Sequence, residues 1–340
     1  MTVSETRSLV VPPELAGTRL DVALARLAPD LTRSRVQRLV DGGRVLVAGR
    51  IAKPSARLRG GESVLVELEP PAPTAAVAQD LPLAVLYEDR DLVVLDKAAG
   101  MVVHPARGSP HSTVVNALLA RWGAQGQPGE AAPARPGGPG GRSLIASPRI
   151  GLVHRLDKDT SGCLVVARTD AALQALQAQW KGRTVEKTYL ALCHGRLPET
   201  GRLDTPYGRH PRDRTRFTGR LRTAPRRALT EWRVRERFGD LATLAEVTLH
   251  TGRTHQIRVH LAEAGHPLLG DAVYGGTRRE ARTPGGCAAR AAAAIGRQAL
   301  HAARLAFDHP RTGKRAVFEA PVPADFRAGL EVLREQAKSG

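Results

Sequence analysis

Gly151-Leu-Val-His-Arg-Leu-Asp-Lys-Asp-Thr-Ser-Gly162 is the stretch from which the rest of this chain is read. It sets the carboxylate of Asp157 between Arg155 and Lys158, at the expected end of a strand. A second acid, Asp159, and a turn-forming Thr160-Ser161-Gly162 follow directly. Cationic neighbours keep a carboxylate ionised and acceptor-only. An ionised carboxylate can serve as a nucleophile or as an electrostatic stabiliser. No phosphate-cradling glycine loop, HExxH pair or nucleophile elbow accompanies it in the sequence, so in an enzyme Asp157 is the residue to explain.

Working outward, Gly162–Arg168 reads as a buried strand. Asp170 is expected to cap a helix through Leu173, Leu176 and Trp180, stopped by Gly182. Strands are expected at 187–192, 241–249 and from Val317, with a strongly basic run at 208–227. Thr254 is expected to cap a helix to Ala264, with Gly265 just past its end. An insertion rich in Ala and Arg, 278–296, is expected to be a surface loop, and a helix closes the chain. On the N-terminal side, the Gly-, Pro- and Ala-rich 123–148 is expected to be a mobile loop. Before it come a strand at 91–97 and a helix capped by Ser112. Residues 15–69 form a small α+β unit of two helices and short strands, preceded by a flexible 1–14 and followed by a proline-rich linker, 70–80. The larger domain spans 81–330. Strands outnumber helices and most connections are too short for regular βαβ crossovers. The expected class is therefore α+β with a mixed sheet.

The 51 Lys+Arg against 33 Asp+Glu leave a formal charge of +18, which points to a polyanionic partner. Arg33, Arg35, Arg38, Arg44, Arg50, Lys53, Arg57 and Arg59 face only Asp30 and Asp41 in the same segment. With so few acids for i,i+4 pairing, the run repels itself unless an anion is bound, so a nucleic-acid surface is expected there. Three scattered cysteines without CxxC spacing argue against a disulfide framework or a structural zinc site. The N-terminus has no apolar signal core, and no apolar run reaches ~18 residues, the length that spans a bilayer. The expectation is a cytoplasmic protein with no membrane partner.

The second dense cluster is Thr251-Gly-Arg-Thr-His-Gln-Ile-Arg-Val-His-Leu-Ala262. On a helix from Thr254, Ile257, Leu261 and Ala264 form the buried stripe, with His255, Arg258 and Ala262 on a neighbouring face. Arg258 is thus held rigidly enough to meet a carboxylate or a phosphate. His255 and His260, at i,i+5, lie on different faces and show no third ligand, so no metal is expected. Ser161, His154 and Asp157 sit too close in sequence to converge as a triad. Read alone, Tyr189 is a half-buried sheet tyrosine.

HRLDKDTSG at 154–162, KTYLAL at 187–192, DTPYGRHPRDR at 204–214, GRTHQIRVHLA at 252–262, and RQALHA with HPRTG between 297 and 313 closely resemble the RluA-type pseudouridine synthases. The basic 15–69 unit resembles the S4 RNA-binding domain, an arrangement similar to that of the subgroup modifying large-subunit ribosomal RNA. The resemblance implies a pseudouridine-synthase fold with a mixed, mainly antiparallel central sheet. It implies isomerisation of uridines by an aspartate nucleophile after base flipping. The nucleophile maps onto Asp157. Tyr189 maps onto the tyrosine that stacks on the flipped uracil and serves as a base for a ribose proton. Arg258 maps onto the arginine that orients the aspartate, and Arg155 onto one that holds the surroundings of the flipped nucleotide. His154 and His255, beside these groups in the motifs, and Arg33, Arg35, Arg38 and Lys53 in the basic unit are expected to bind RNA. No cofactor and no metal are expected, and the enzyme is expected to be a monomer. Transfer RNA as substrate, a non-catalytic ribosome-assembly factor and a hydrolase releasing free uracil are the alternatives.

Overall fold

A computed structural model describes residues 5–28, 31, 33–68, 77–105, 109–124, 151–224 and 226–339, with the backbone alone at positions 5, 33–35, 38 and 339. Most of the 123–148 expectation and residues 70–76 of the linker lie outside the described residues. The chain divides into two compact units, Met1–Ala75 and Ala76–Gly340.

In the first unit, β1 (Glu5–Val10), β4 (Ser63–Leu68), β2 (Val45–Val47) and β3 (Arg50–Ile51) form an antiparallel sheet in that order. Two helices, α1 (Leu20–Leu27) and α2 (Arg33–Asp41), cover it. The alternation of β4 turns Val64, Val66 and Leu68 inward. They pack with Leu20, Ala23 and Leu24 of α1 and Val36, Leu39 and Val40 of α2. Asp21 is wholly buried and is satisfied by Arg19 and Gln37. The expectation of a flexible 1–14 is corrected here. Residues 5–10 pair with all of β4, from Glu5↔Leu68 to Val10↔Ser63. Too few apolar side chains mark this strand in the sequence; ladder hydrogen bonds and the burial of Val11 just beyond it make it.

The second unit is built on one nine-stranded sheet. Its strands are β5 (Ala84–Glu88), β6 (Leu92–Lys97), β7 (Ser161–Ala167), β8 (Glu186–His194), β9 (Thr200–Pro206), β12 (Arg227–Phe238), β13 (Ala242–Leu249), β14 (Leu300–Asp308) and β15 (Arg315–Glu319). The order is β5-β6-β7-β14-β8-β13-β12-β9, with β15 on the far half of β14. All pairs are antiparallel except β7 with β14, which gives the mixed, mainly antiparallel α+β sheet expected. At that parallel contact Gly162 has φ +111°, and a Cβ there would stand 2.2 Å from the carbonyl oxygen of Ala302, so no other residue fits. A two-stranded ribbon, β10 (Gly208–Arg209) with β11 (Phe217–Thr218), occupies the basic run. The helices are α3 (Val114–Ala124), α4 (Asp170–Gly182), α5 (Gln256–Glu263), α6 (Gly276–Glu280), α7 (Cys287–Ile295) and α8 (Ala324–Ser339).

Several local expectations change. Residues 77–79 are not linker: Asn116 donates to the Val77 carbonyl and Gln79 N donates to that of Asn116. Thr113 caps α3 instead of Ser112, because its hydroxyl accepts the Asn116 N–H. Thr169 caps α4 instead of Asp170, accepting from Ala172. The helix expected from Thr254 starts after His255, and Ala264 is exposed while Gln256, Val259 and His260 are buried. The supposed loop 278–296 holds α6 in part and all of α7. Cys287, Ala291, Ala292 and Ile295 pack against Phe326, Leu330 and Leu333 of α8. Alanine's high helix propensity and the missing side chain of Gly329, where a Cβ would stand 2.4 Å from Ile295, allow that close approach.

Candidate active site

Asp157 does not end a strand. It sits in the loop before β7, in a turn closed by Thr160 N donating to its carbonyl. The preceding Leu156 is buried in the main core and anchors the loop. Below it, the ammonium of Lys97, 1% exposed, donates to the carbonyls of Ala98, Met101 and Lys158 and clamps the turn. Burial, and to a lesser extent Arg297, lowers the Lys97 pKa to about 8. Arg297 holds the same loop by donating to the Asp159 carbonyl while paired with Asp325.

The structure brings Arg258 to Asp157 across 101 residues of sequence, with Nη1 3.1 Å from Oδ2. The guanidinium is 6% exposed. Its other side is occupied by Asp271: Nε donates to Oδ2 at 2.7 Å and Nη2 to Oδ1 at 3.0 Å. Asp271 is fully buried and also accepts the N–H groups of Val273 and Tyr274. Burial alone disfavours the Arg258 charge, but the carboxylates of Asp271 and Asp157 hold its pKa above the ordinary guanidinium value. The Tyr274 ring lies 5.2 Å from the same guanidinium, on its cation–π face.

His255 adopts a left-handed backbone, φ 58°, as the residue before α5. Its Nδ1 meets the Tyr274 hydroxyl at 2.9 Å, and its Nε2 stands 3.9 Å from Asp157 Oδ1. Burial lowers its pKa against the pull of Asp157, so the ring is neutral near pH 7. Tyr189 projects from β8, is 9% exposed and belongs to the main core. Burial, then the charge of Asp157, pushes its phenol above the usual tyrosine range, so the hydroxyl keeps its proton.

Six expected residues, His154, Arg155, Asp157, Tyr189, His255 and Arg258, line one open cavity of about 750 Å³. His154 is a scaffold as well as a wall. Its ring stacks on Trp180 at 4.9 Å, and its Nε2 accepts the Val165 N–H at 3.1 Å. Burial lowers its pKa to about 3. Arg155 is exposed at the cavity and makes no hydrogen bond among the described residues. In the first unit Lys53 is exposed, whereas the side chains of Arg33, Arg35 and Arg38 lie outside the described residues.

Sequence reasoning missed Asp271 and Tyr274. Their signal was local: an aspartate whose carboxylate accepts backbone N–H groups two and three residues on is an Asx-type turn. In Gly270-Asp-Ala-Val-Tyr-Gly275, Gly270 (φ +69°) brings the backbone close to Arg297. Among the described residues, one group has metal-ligand composition: Asp89, Asp91 and His309. The Asp89 oxygens are already engaged. Asp89 accepts from Asp91 N, Leu92 N and Tyr87 and meets His309, and Asp91 pairs with Arg311. It caps a turn.

An anion, an orienting guanidinium and a buried phenol around an open cavity suit nucleophilic attack on a polar ring system held against the tyrosine. Comparison with known proteins points the same way. Residues 91–263 match the RNA pseudouridylate synthase family, and residues 18–64 match the S4 domain. The chain is 44% identical over 334 residues to the "Ribosomal large subunit pseudouridine synthase D" of Xanthomonas campestris pv. campestris, covering 98% of this chain and 94% of that protein. It is 45% identical to an "Uncharacterized RNA pseudouridine synthase" of Chloroflexus aurantiacus, covering 98% and 96%. Among solved structures, human RNA Pseudouridylate Synthase Domain Containing 1 matches with a TM-score of 0.52 at 25% identity, covering 77% of this chain and 97% of that one.

Proposed function

Since this chain belongs to the RNA pseudouridylate synthase family and carries an S4 domain, we propose that it converts specific uridines of large-subunit ribosomal RNA to pseudouridine, with Asp157 as nucleophile. The reaction breaks the C1′–N1 glycosidic bond, forms C1′–C5, and replaces a proton lost from C5 by one gained at N1. Uracil C5 is shielded in a duplex, so the base must be extruded at a cost of a few kcal/mol. The Tyr189 ring offers a stacking surface, worth about 1–3 kcal/mol for a base. Tyr189 is protonated in the resting site, so it acts on a ribose proton only after passing its own proton on, and as a hydrogen-bond donor before that. Arg258, fixed by Asp271, aims the Asp157 carboxylate. Arg155 and His255 face the extruded nucleotide, and His154 supports the wall behind it. The basic residues of the S4 unit, Arg33, Arg35, Arg38 and Lys53 among them, grip phosphates.

The observation that carries this reading is the Asp271–Arg258–Asp157 chain beside Tyr189 in one cavity. The rRNA-specific form rests on the nearly full-length similarity to proteins named for the large ribosomal subunit. No described helix is long and apolar enough to cross a membrane. Three free, buried cysteines fit a reducing compartment, and we read the enzyme as a cytoplasmic monomer. The test is carbodiimide mapping of unmodified large-subunit rRNA after incubation with the wild-type protein and with Asp157→Asn. Wild type should produce pseudouridine, and the variant should bind the RNA and produce none. Turnover by the variant would remove Asp157 as nucleophile. Conversion of transfer RNA alone would move the substrate.

A further inference from the structure

Two lysines of the catalytic unit are buried, and they are buried differently. Lys97 satisfies all three ammonium protons with carbonyl oxygens. Lys187, 7% exposed, makes no hydrogen bond and no ion pair among the described residues. Its stem is buried, and its ammonium, which no described protein acceptor engages, opens onto the cavity, where an anion can reach it. Lys187 lies two residues before Tyr189 on β8. Alternation places both side chains on the same face of the strand, and both line the cavity that holds Asp157. The separation of two residues on a strand is about 7 Å, comparable to the span from a nucleobase to the phosphate of its own nucleotide.

Around Lys187 the cavity wall is cationic. Arg183, at the left-handed C-cap of α4, and Arg253 line it too, whereas Asp157 is the one acid among its lining residues. Burial, then Arg183, lowers the Lys187 pKa, and burial, then Arg226 and Arg183, lowers that of Arg253. Like charges thus converge on one side of the cavity. Guanidinium forks match phosphate oxygens, and RNA carries one phosphodiester per nucleotide.

We propose that Lys187, with Arg183 and Arg253 beside it, holds a phosphodiester group adjoining the extruded uridine and so fixes the depth to which that nucleotide enters. This rests on the uridine-isomerising reading of the same cavity. Lys187 is then a positioning residue: it touches the RNA backbone and not the reacting atoms.

The experiment uses the full chain and an rRNA fragment containing the converted uridine, made with native linkages or with one neutral methylphosphonate on either side of that uridine. Wild type, Lys187→Met and Lys187→Arg are compared. The neutral linkage on one side should weaken wild-type binding about tenfold, and Lys187→Met should show the same loss on native RNA. That variant should be indifferent to the neutral linkage, and Lys187→Arg should recover most of the affinity and the sensitivity. Lys187→Met should melt close to the wild-type temperature, since no described protein group loses a hydrogen-bond partner. The assignment is overturned if Lys187→Met still discriminates the two linkages as wild type does, binds native RNA as tightly, or melts well below wild type. A wild type that binds the fragment but never isomerises it removes the functional reading and leaves the linkage comparison standing.

Discussion

Replacing Asp271 with Asn separates aiming from chemistry. The side chain is fully buried and gives two charge-assisted hydrogen bonds to Arg258, at 2.7 and 3.0 Å. Asn keeps an acceptor for the N–H groups of Val273 and Tyr274 but leaves the guanidinium with one neutral acceptor and a facing amide. Removing one partner of a buried ion pair costs about 3–5 kcal/mol. In a unit spanning Ala76–Gly340 that corresponds to a fall in melting temperature of about 6–20 °C. Arg258, only 6% exposed, then has the single anion Asp157 to approach, and its grip on that carboxylate changes. A displacement near 1 Å can cost about 100-fold in rate. The assay is single-turnover conversion on unmodified rRNA at a temperature where both proteins are folded, beside thermal melting of each. RNA affinity should stay within about threefold, because Asp271 faces no cavity. A variant that melts within 1–2 °C of wild type and turns over within about threefold would show that Arg258 needs no second carboxylate, and the positioning argument would fail.

Tyr189→Phe keeps the ring and should bind RNA within about threefold of wild type while turning over far more slowly. Tyr189→Ala should also lose about 1–3 kcal/mol of affinity; filter binding and single-turnover rates tell the two apart, and equal rates for Phe and Tyr would assign the residue to stacking alone. Burial holds His154 at a pKa of about 3 and His260 at about 4, below the ordinary imidazole value of 6.5. Unfolded chains therefore take up these protons first, and the stability present above pH 6.5 is lost as pH falls toward those values, at about 1.4 kcal/mol per pH unit for each ring. Urea titrations between pH 7 and 4.5 should show that decline, and His154→Gln should remove about half of it; an unchanged slope would refute the assignment. Replacing Arg33, Arg35, Arg38 and Lys53 together with Ala should reduce the slope of log affinity against log salt by about 3. An unchanged slope would return these residues to a solvated face.

That Asp157, Tyr189 and Arg258 line one cavity was expected from the resemblance, since each lies in a long, ordered motif. Nothing in local spacing places residues 101 apart at 3.1 Å. Asp271 escaped because its two roles, capping a turn and holding Arg258, leave only an ordinary Gly-Asp in the sequence. Thr113 and Thr169 were passed over as caps because Ser112 and Asp170 beside them carry the same preference, and the cap is decided by which backbone lies in the extended region. β1 is set by pairing with β4 rather than by its own side chains. Segment 278–296 looked like an insertion because alanine and arginine show little contrast, yet four small apolar groups suffice to seat α7 on α8.

The way Arg258 is shared bears on the reaction itself. A guanidinium that gripped Asp157 with two nitrogens would fix the carboxylate but occupy both of its oxygens. Here Nε and Nη2 are committed to Asp271, which leaves Nη1 alone for Asp157 Oδ2. Among the described residues Oδ1 has no partner closer than His255 Nε2 at 3.9 Å. One guanidinium thus serves two carboxylates, of which Asp157 faces the cavity. On the proposed mechanism, orientation comes from one oxygen and nucleophilicity from the other. Asp271→Leu would free both Nε and Nη2, whereas Asp271→Asn leaves one of them a neutral acceptor. If the division of oxygens matters, the Leu variant should show the slower turnover of the two at equal RNA affinity, because its guanidinium has only Asp157 left to clasp.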